Sequence, residues 1–466
     1  MANFTAEAVA ALQASIGGRV SQPGEAGYDE AVNIWNAAAA GIRQPALVAS
    51  CTSSADVVAS LAFARQEGLE VSVRGGGHNY AGFALCDDGL MVDLTPMKHV
   101  SVDPDARLAR CGGGTTWGEL DAMTQGHGLA VPGGFISHTG VAGLTLGGGL
   151  GWLSRLAGLS SDNLVGAEVV TADGRVLRAS VSDNADLFWA LRGGGGNFGV
   201  VTEFEFALHP VGPIVHLGLF LFSPDHGGEM FRFAREYVKG LPEECGVFLA
   251  GLNAPPAPFV PAELHFTPAF ALVVVGLGSA EAHAELIAPV RAALSPIVDM
   301  VTPIPYVALQ QMFNEAAPWG LYAYEKAVYL RELTDAAIEV MVDHQLRKAS
   351  PLSIVPIFVL GGAYARAEHA GSAFGGSRDV TYVVNIEGAT PTPEGYEAER
   401  AWVRDYWSAL VEHAGSVGSY VNFMTEYEDD RVRAAYGDKY ERLQRVKAAY
   451  DPDNVFHLNA NIPPAS

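Results

Sequence analysis

Glycine is concentrated in a few short segments of this chain, and those segments constrain its fold more than any other feature. The chain has 53 glycines among 466 residues, with clusters starting at Gly75, Gly112 and Gly147 and a fourth at residues 193–196. Glycine lacks a side chain and tolerates positive φ, so such loops bring backbone N–H groups close to a ligand. Successive N–H groups form a concavity suited to a diphosphate. From the residues alone, turn formation and a dinucleotide cradle are equally good interpretations.

Several familiar nucleotide and catalytic motifs are absent or misplaced. Gly194, Gly196 and Gly199 match G-x-G-x-x-G, but a helical pattern precedes them and a strand pattern (residues 200–208) follows, which inverts the Rossmann order. The chain has no Gly-Lys dipeptide, and it has neither a G-x-S-x-G elbow nor an H-E-x-x-H helix. The sequence therefore excludes a P-loop kinase, an α/β-hydrolase and a zincin.

The composition of the chain disfavours nucleic acid and membranes as binding partners. The formal net charge of −23 disfavours binding to nucleic acid and to anionic membranes. Hydrophobic residues make up 49% and charged residues 17%, which favours a large globular core over disorder. No apolar run approaches the roughly 20 residues that span a bilayer, and no secretory signal follows Met1, so we expect no membrane contact and a cytoplasmic protein. The four cysteines form no Cys-x-x-Cys pair, which predicts reduced thiols and no metal site.

Local patterns predict alternating helices and strands around the glycine loops. Ser54 is predicted to cap a helix that Gly68 ends, followed by a strand over residues 70–73. Thr116 and Glu119 predict a capping box. Asp173-Gly174 between two β-branched runs predicts a hairpin. From about residue 210 glycine clusters give way to proline-rich and strand-like segments, which indicates a second domain.

The glycine loops in combination carry a family resemblance. Arg74-Gly75-Gly76-Gly77-His78-Asn79, Pro132-Gly133-Gly134, the segment 147–152 and the Asn-rich tail together resemble the FAD-linked oxidases of the vanillyl-alcohol-oxidase/p-cresol methylhydroxylase superfamily. More narrowly, the chain is similar to the berberine-bridge-enzyme-like branch that contains bacterial hydroxynicotine oxidases. The resemblance is most specific in residues 70–206 and 436–462.

The resemblance implies an α+β, two-domain FAD-binding fold. Residues 1–210 would form the FAD-binding domain, and residues 211–415 a substrate domain of antiparallel sheet covered by helices. Residues 416–466 would return to the FAD-binding domain. The implied function is a secondary-metabolism oxidoreductase that acts on a small molecule with dioxygen as acceptor and hydrogen peroxide as product.

In the family, the Arg-Gly-Gly-Gly-His loop wraps the FAD diphosphate and its histidine, here His78, bonds covalently to the 8α carbon of the flavin. A second tether uses a cysteine whose position is Ile136 here, so the resemblance implies a single attachment. The resemblance implies FAD contacts along the matching motifs, at Arg74, Gly75, Gly76, Gly77, Asn79, Gly82, Gly134, Thr139, Gly140, Gly143, Leu144, Gly148, Gly149, Trp152, Asp162, Asn163, Gly196, Gly199, Val200, Val201, Asn459 and Asn461.

Thr139 occupies the position that gates dioxygen in relatives. A small residue there resembles the oxidases, so we expect oxygen to enter. The His138-Thr139 pair also resembles polyketide-modifying relatives that oxygenate through the flavin. Oxidase and oxygenase therefore both remain open, as does a passive packing role for Thr139.

Tyr420 and Asn422 resemble the late Tyr-x-Asn motif that lies beside the flavin ring in relatives. Tyr420 is a candidate base, and because a tyrosine has a pKa near 10, it would need a cation such as Lys326 or Arg378 nearby. Tyr324 and Lys326 alternate along one predicted strand with Tyr322, and that face either roofs the flavin or packs in a core.

The substrate is less constrained than the cofactor. Where the nicotine-oxidase resemblance places charged residues, this chain has the apolar segment 355–362. We therefore expect a neutral, apolar or aromatic substrate rather than a cationic amine, with oligosaccharides left open by the proline-rich residues 250–262. A non-catalytic flavin-holding protein is the remaining alternative, since a fold does not guarantee a reaction. The sequence gives no oligomeric state.

Overall fold

The computed structural model describes residues 4–414 and 418–465. Its first sheet has the strand order β1-β2-β4-β3, in which β2, β4 and β3 are parallel and β1 is antiparallel. The strands are β1 (Arg19–Ser21), β2 (Leu47–Ser50), β3 (Val71–Arg74) and β4 (Leu90–Asp93). The first glycine loop leaves the end of β3, so this small sheet positions it.

The second sheet is antiparallel, in the order β5-β6-β10-β8-β9, and a two-stranded ribbon pairs β11 with β7. These strands are β5 (Val100–Asp103), β6 (Leu108–Gly112), β7 (Leu129–Ala130), β8 (Leu164–Val170), β9 (Val176–Ser180), β10 (Val200–Ala207) and β11 (His209–Pro210). The turn between β8 and β9 contains Asp173 and Gly174, whose φ is +88°, so the predicted hairpin is confirmed.

The third sheet has seven antiparallel strands in the order β15-β12-β14-β13-β17-β18-β16. They are β12 (Ile214–Phe222), β13 (Cys245–Asn253), β14 (Pro268–Gly276), β15 (Val298–Pro305), β16 (Tyr322–Leu330), β17 (Val355–Val359) and β18 (Tyr382–Thr390). One face of this sheet carries side chains such as Leu272 and Ile386 into a core with Phe231, Ile338 and Trp402 from covering helices. The other face turns toward the glycine loops.

The helices lie mostly over the outer faces of the three sheets. They are α1 (Ala6–Ser15), α2 (Tyr28–Val32), α3 (Ser54–Glu67), α4 (Trp117–Gln125), α5 (Val141–Leu146), α6 (Ser154–Ala157), α7 (Ala185–Leu191), α8 (Gly227–Tyr237), α9 (Ala280–Ala293), α10 (Tyr306–Gln310), α11 (Asp335–Gln345), α12 (Ala363–Arg366), α13 (Tyr396–Val411), α14 (Asp429–Tyr436) and α15 (Tyr440–Tyr450). Helices α8, α9, α11 and α13 cover the outer face of the seven-stranded sheet. The α+β class is thus confirmed.

Most local predictions match these elements. Helix α3 ends at Gly68, which is left-handed, and α4 begins with the predicted capping box of Thr116 and Glu119. The predicted cap of α3 is wrong by one residue, because the side chain of Ser53, not Ser54, accepts the N–H of Asp56. Helix α7 precedes the 194–199 loop and β10 follows it, so the order is indeed the reverse of a Rossmann unit.

The division at residue 210 falls in strand β11, between the second and third sheets, and stays a prediction. The predicted boundary at residue 416 lies outside the described residues. Within residues 4–414 and 418–465, no helix combines the length and apolar character needed to cross a bilayer. All four cysteines are buried and unpaired.

Candidate active site

A cavity of about 410 Å³ lies between the glycine loops and the inner face of the seven-stranded sheet. One wall comes from residues 75–80, 139–147 and 195–201, which are mostly backbone and small side chains. The opposite wall comes from side chains of β13, β16, β17 and β18, namely Phe248, Glu325, Pro356, Phe358, Asn385 and Glu387. The loops of two sheets and the face of a third therefore meet around one space.

The first glycine loop offers free backbone donors to this cavity. The N–H groups of residues 75–79 donate to no other described residue, although all five residues line the cavity. Gly76 packs directly on Gly140, so that a Cβ on Gly76 would lie 2.2 Å from the Gly140 nitrogen. Any side chain at either position would force the two loops apart. The arrangement is an anion cradle of the kind that binds a diphosphate.

Arg74 lies beneath that loop rather than in the cavity. Its side chain is 8% exposed and donates to the carbonyls of Glu30 and Ala31 at the end of α2. A Cβ on Gly77 would lie 3.3 Å from the Arg74 Nε. The guanidinium therefore supports the loop from behind and adds positive charge there, although burial lowers its pKa.

His78 lies in the cavity wall inside an aromatic and imidazole cluster. Its ring stacks on Trp35 with centroids 5.6 Å apart and meets the edge of Trp319 at 5.4 Å. Its Nε2 lies 2.8 Å from Nδ1 of His138. No described residue hydrogen-bonds to Nδ1 of His78.

Both histidines are held in the neutral state. Burial, aided by repulsion from His138 and Arg74, lowers the pKa of His78 to about 3. Burial also lowers the pKa of His138, and a hydrogen bond to the Ala317 carbonyl opposes that shift. Near pH 7 both rings therefore carry one proton and one lone pair each.

Tyr420 and Asn422 lie together at the cavity wall, as the resemblance implied. The phenolic oxygen of Tyr420 accepts the N–H of Gly149 at 2.7 Å and the Nδ2–H of Asn422 at 2.9 Å. Burial raises the pKa of Tyr420 to about 12 despite these two donors. Because both acceptor positions are filled, the hydroxyl proton is the group that Tyr420 presents to a bound molecule.

Tyr324 and Lys326 do not line the cavity, so of the two alternatives for their face the structure supports packing in a core, not a roof over the flavin. Both lie on the outer face of β16, where the Tyr324 hydroxyl contacts Arg404 and the Lys326 ammonium pairs with Glu426 at 3.1 Å. Strand alternation was predicted correctly, but it defines two faces without saying which one faces inward. The inner face carries Glu325 instead.

The prediction that a cation such as Lys326 or Arg378 stabilises Tyr420 is wrong. Lys326 is taken by Glu426, and the Arg378 guanidinium forms two hydrogen bonds of 2.8 Å with the Asp162 carboxylate. The donors that do reach Tyr420 are the backbone N–H groups of Gly149 and Leu150 and the amide of Asn422, so no described cation stabilises a phenolate there.

Two carboxylates face the cavity from adjacent strands. Glu325 of β16 and Glu387 of β18 are paired directly across the ladder, and both line the cavity with Asn385. Asn385 donates to Glu325 at 2.8 Å, and Tyr80 hydrogen-bonds to Glu387. Burial raises the pKa of Glu387 to about 7 and that of Glu325 well above 4.5. The apolar segment 355–362 did not reveal these groups because they come from neighbouring strands.

Aromatic rings cover the other end of the sheet wall. Phe135 lies 5.0 Å from Phe358 and 5.5 Å from Phe248, and Phe313 lies 5.2 Å from Phe248. Phe423 stacks on Phe358 at 5.4 Å. The wall is therefore acidic at the β16–β18 end and aromatic at the β13–β17 end.

The structure brings together most of the residues predicted to contact the cofactor or substrate. Those that line the cavity are Gly75, Gly76, Gly77, His78, Asn79, Gly134, Thr139, Gly140, Gly143, Leu144, Gly196, Gly199, Val200, Val201, Tyr420, Asn422 and Asn459. Those that do not are Arg74, Gly82, His138, Gly148, Gly149, Trp152, Asp162, Asn163, Tyr324, Lys326 and Asn461. Several of the latter hold the lining residues in place, as Gly149 and His138 do.

The C-terminal tail closes the cavity near the 194–199 loop. Lys447 of α15 donates to the carbonyls of Asn197 and Phe456 and pairs with Asp451 at 2.6 Å. Asn197 in turn bonds Ala460 and Ile462. These buried polar contacts fix the tail, including Asn459, against the glycine loop.

Some residues at the site carried no recognisable signal in the sequence. Tyr80, Asn385 and the two glutamates reach the site through pairing of strands and loops far apart in the chain, whereas Trp319, which stands in the same aromatic run as Tyr322 and Tyr324, contacts His78. The sequence separation of Glu325 and Glu387 does not predict that they pair, because the order of strands in a sheet is not determined by neighbouring residues. Alternation along a strand predicts only that Asn385 and Glu387, two residues apart, lie on the same face.

The residues at the glycine-loop wall fit flavin adenine dinucleotide. The free N–H groups of residues 75–79 suit a diphosphate, and Arg74 places a positive charge behind them. Asn459 presents a buried side-chain oxygen without a partner. The described residues contain no cluster of three His, Cys, Asp or Glu arranged to hold a metal ion.

Comparison with known proteins agrees with this geometry. The family described as "FAD binding domain" matches residues 45–180, and the family described as "Berberine and berberine like" matches residues 419–463. The chain is 30% identical to (R)-6-hydroxynicotine oxidase of Paenarthrobacter nicotinovorans over 458 residues, which cover 97% of each protein.

Solved structures show the same fold. The crystal structure of 6-hydroxy-D-nicotine oxidase from Arthrobacter nicotinovorans matches with a TM-score of 0.85 at 28% identity, covering 97% of this chain and 99% of that one. The glucooligosaccharide oxidase of Acremonium strictum, described as carrying a 6-S-cysteinyl, 8α-N1-histidyl FAD, matches with a TM-score of 0.87 at 24% identity, covering 98% and 100%. The chain therefore belongs to the berberine-bridge-enzyme-like family of FAD-linked oxidoreductases.

Proposed function

We propose that this enzyme is an oxidase whose FAD is bonded covalently to His78 and whose acceptor is dioxygen. It would oxidise an alcohol or amine carbon of a small secondary metabolite and release hydrogen peroxide. The observation that carries the proposal is the placement of His78 in the cavity wall with its Nδ1 free of hydrogen bonds. When bound, the flavin supplies the two-electron acceptor that the protein's own side chains lack.

The hydrogen bonds around His78 favour attachment through Nδ1. The Ala317 carbonyl accepts only, so His138 must donate an N–H to it. A neutral His138 then offers Nδ1 as an acceptor, and His78 donates to it through Nε2–H at 2.8 Å. We assign His78 the tautomer with its lone pair on Nδ1, which is the nucleophile that a tether requires.

The comparison with glucooligosaccharide oxidase supports that assignment. That oxidase is described as carrying an 8α-N1-histidyl FAD, and N1 corresponds to Nδ1. Its second, cysteinyl linkage has no counterpart at the position implied by the resemblance, because Ile136 lines the cavity here. A single attachment through His78 follows.

Thr139 and Tyr420 are the residues that we assign to the oxygen and substrate sides. Thr139 lines the cavity, and because its side chain is small it leaves room for dioxygen. No described residue hydrogen-bonds to its hydroxyl. Tyr420 lines the same cavity and presents its hydroxyl proton, held by Gly149 and Asn422. It would orient the substrate by hydrogen bonding, while a carboxylate such as Glu387 takes the substrate proton.

The direct test is anaerobic mixing of purified yellow protein with a panel of alcohols and amines. We expect at least one substrate to bleach the flavin absorbance, and admission of oxygen to restore it with one equivalent of hydrogen peroxide. Tyr420→Phe should slow the bleaching by about 10²-fold or more, which is typical for loss of a group that hydrogen-bonds the reacting atoms. A flavin-loaded protein that no substrate bleaches would instead be a flavin-holding protein.

A flavin-dependent oxygenase is the second candidate, because the free hydroxyl of Thr139 lies in the same cavity. The two functions differ in where the oxygen atoms go. An oxidase passes both atoms of ¹⁸O₂ to hydrogen peroxide, whereas an oxygenase places one atom in the organic product. An oligosaccharide oxidase is tested in the same panel by including cello- and chito-oligosaccharides.

A further inference from the structure

One edge of the cavity carries two buried hydrogen-bond acceptor atoms that have no donor. We name Glu325, Asn385 and Glu387 the acceptor patch. Oε1 of Glu325 and Oδ1 of Asn385 are buried without any partner, and their residues are only 1% and 3% exposed. Because buried acceptors are normally satisfied, each of these atoms indicates a donor that the chain itself does not provide.

The patch also acquires a negative charge without a neighbouring cation when Glu387, whose pKa burial raises to about 7, loses its proton. Glu325 and Glu387 are direct cross-strand partners, a placement in which like charges destabilise each other. None of the residues that line the cavity is a lysine or an arginine. Lys326, the neighbour of Glu325 along β16, points away to Glu426. Two buried carboxylates without a cation are stable only if they hold protons or meet a cationic ligand.

The rest of the sheet wall restricts the chemical character of such a ligand. At the far end, Phe135, Phe248, Phe313, Phe358 and Phe423 form the aromatic cluster described above. A molecule that fills the space therefore meets aromatic rings at one end and acceptors with negative charge at the other. The complementary shape is an apolar or aromatic body with a positively charged N–H donor.

We propose that the acceptor patch binds the protonated amine of the substrate, and that the substrate class is an amine on an aromatic body. An ammonium supplies donors for the Glu325 and Asn385 oxygens and also offsets the negative charge of ionised Glu387. A neutral alcohol supplies one donor and relieves no charge. This inference rests on the proposed function because it names the substrate of the same cavity, and it replaces the neutral substrate expected from the apolar segment 355–362.

The test compares two probes of similar size, N-methylbenzylamine and benzyl alcohol, titrated calorimetrically into the flavin-loaded protein at pH 8. We expect the amine to bind at least tenfold more tightly than the alcohol. In Glu325→Gln/Glu387→Gln the amine affinity should fall at least tenfold, while the alcohol affinity changes less than twofold. Glu243→Gln is the matched control, since this carboxylate pairs with Arg366 and does not line the cavity.

A second measurement does not depend on the variants folding. Because the pKa of Glu387 is raised to about 7, lowering the pH from 8 to 6 should weaken amine binding to the wild-type protein by about tenfold and leave the alcohol unaffected. The other titratable groups that act on the two glutamates are Tyr80, Tyr420 and Tyr427. Burial raises their pKa values, so they stay neutral over this range.

Equal affinity for the two probes, or an amine affinity that neither the double variant nor acid reduces, overturns the inference. Calorimetry needs no turnover, so this outcome is separate from the proposed function. If no substrate bleaches the flavin, the proposed oxidase function is contradicted, while the preference for amine binding can still be measured. If alcohols alone yield hydrogen peroxide and amines bind no more tightly than alcohols, the proposed amine substrate is contradicted while the oxidase function stands.

Discussion

Replacing Lys447 by methionine should destabilise the protein and loosen its cofactor together. The Lys447 and Asp451 side chains are both fully buried, with 0% exposure, and their charged atoms lie 2.6 Å apart. Methionine keeps the apolar stem but removes the ammonium, which leaves the Asp451 carboxylate buried without a cation. Breaking such a pair costs about 3–5 kcal/mol, and the carbonyls of Asn197 and Phe456 lose their donor as well.

Urea unfolding followed by circular dichroism gives the free energy of unfolding, and flavin absorbance per protein gives the cofactor content. We expect Lys447→Met to lose about 3–5 kcal/mol and part of its flavin, because the anchored tail carries Asn459 into the cavity. Arg445→Met, an exposed change on the same helix, is the control and should stay within about 0.5 kcal/mol.

The double variant Lys447→Met/Asp451→Asn separates the charge from the packing. Asparagine removes the charge that Lys447→Met leaves unpaired and keeps one of the two oxygens that now accept the N–H groups of Val455 and Phe456. It should recover part of the lost stability. A free energy of unfolding for Lys447→Met within about 1 kcal/mol of the wild type, or a double variant no more stable than the single one, would contradict this expectation.

Three further predictions follow from the cavity. His138→Phe removes the ring that fixes the His78 tautomer, so the protein should keep FAD by binding but lose most covalent attachment, as seen from flavin released by acid. Thr139→Leu fills the oxygen side and should slow reoxidation of the reduced flavin without slowing its reduction; equal slowing of both half-reactions would argue against a gate. Burial keeps the proton on Glu387 in the folded protein up to a pKa of about 7, whereas a glutamate in the unfolded chain ionises near 4.5, so stability should fall as the pH rises from 4.5 to 7. The loss amounts to at most about 3 kcal/mol, and Glu387→Gln should flatten that slope in thermal melts at pH 5 and 8.

Local features of the sequence were sufficient where short-range chemistry decides the structure. The stop at Gly68, the capping box at Thr116 and the hairpin at Gly174 each depend on residues within one turn. The glycine loops were recognisable for the same reason, since Gly76 and Gly140 can approach only without side chains.

The sheet wall of the cavity could not be predicted in the same way. Alternation along β16 defines two faces, one with Tyr324 and Lys326 and one with Ala323 and Glu325, and the local pattern does not determine which of them faces the cavity. The choice depends on α13, which covers the outer face with Arg404 and Trp407. The partnership of Glu325 and Glu387 depends on strand order, which is a property of the whole sheet.

The most direct test of the account is a peptide map of the purified protein after acid denaturation. We expect a yellow precipitate and a single flavin adduct on the peptide that contains His78, through Nδ1 of the imidazole, with the Ile136 peptide unmodified. Flavin that stays in the supernatant while the His78 peptide keeps its unmodified mass would contradict it.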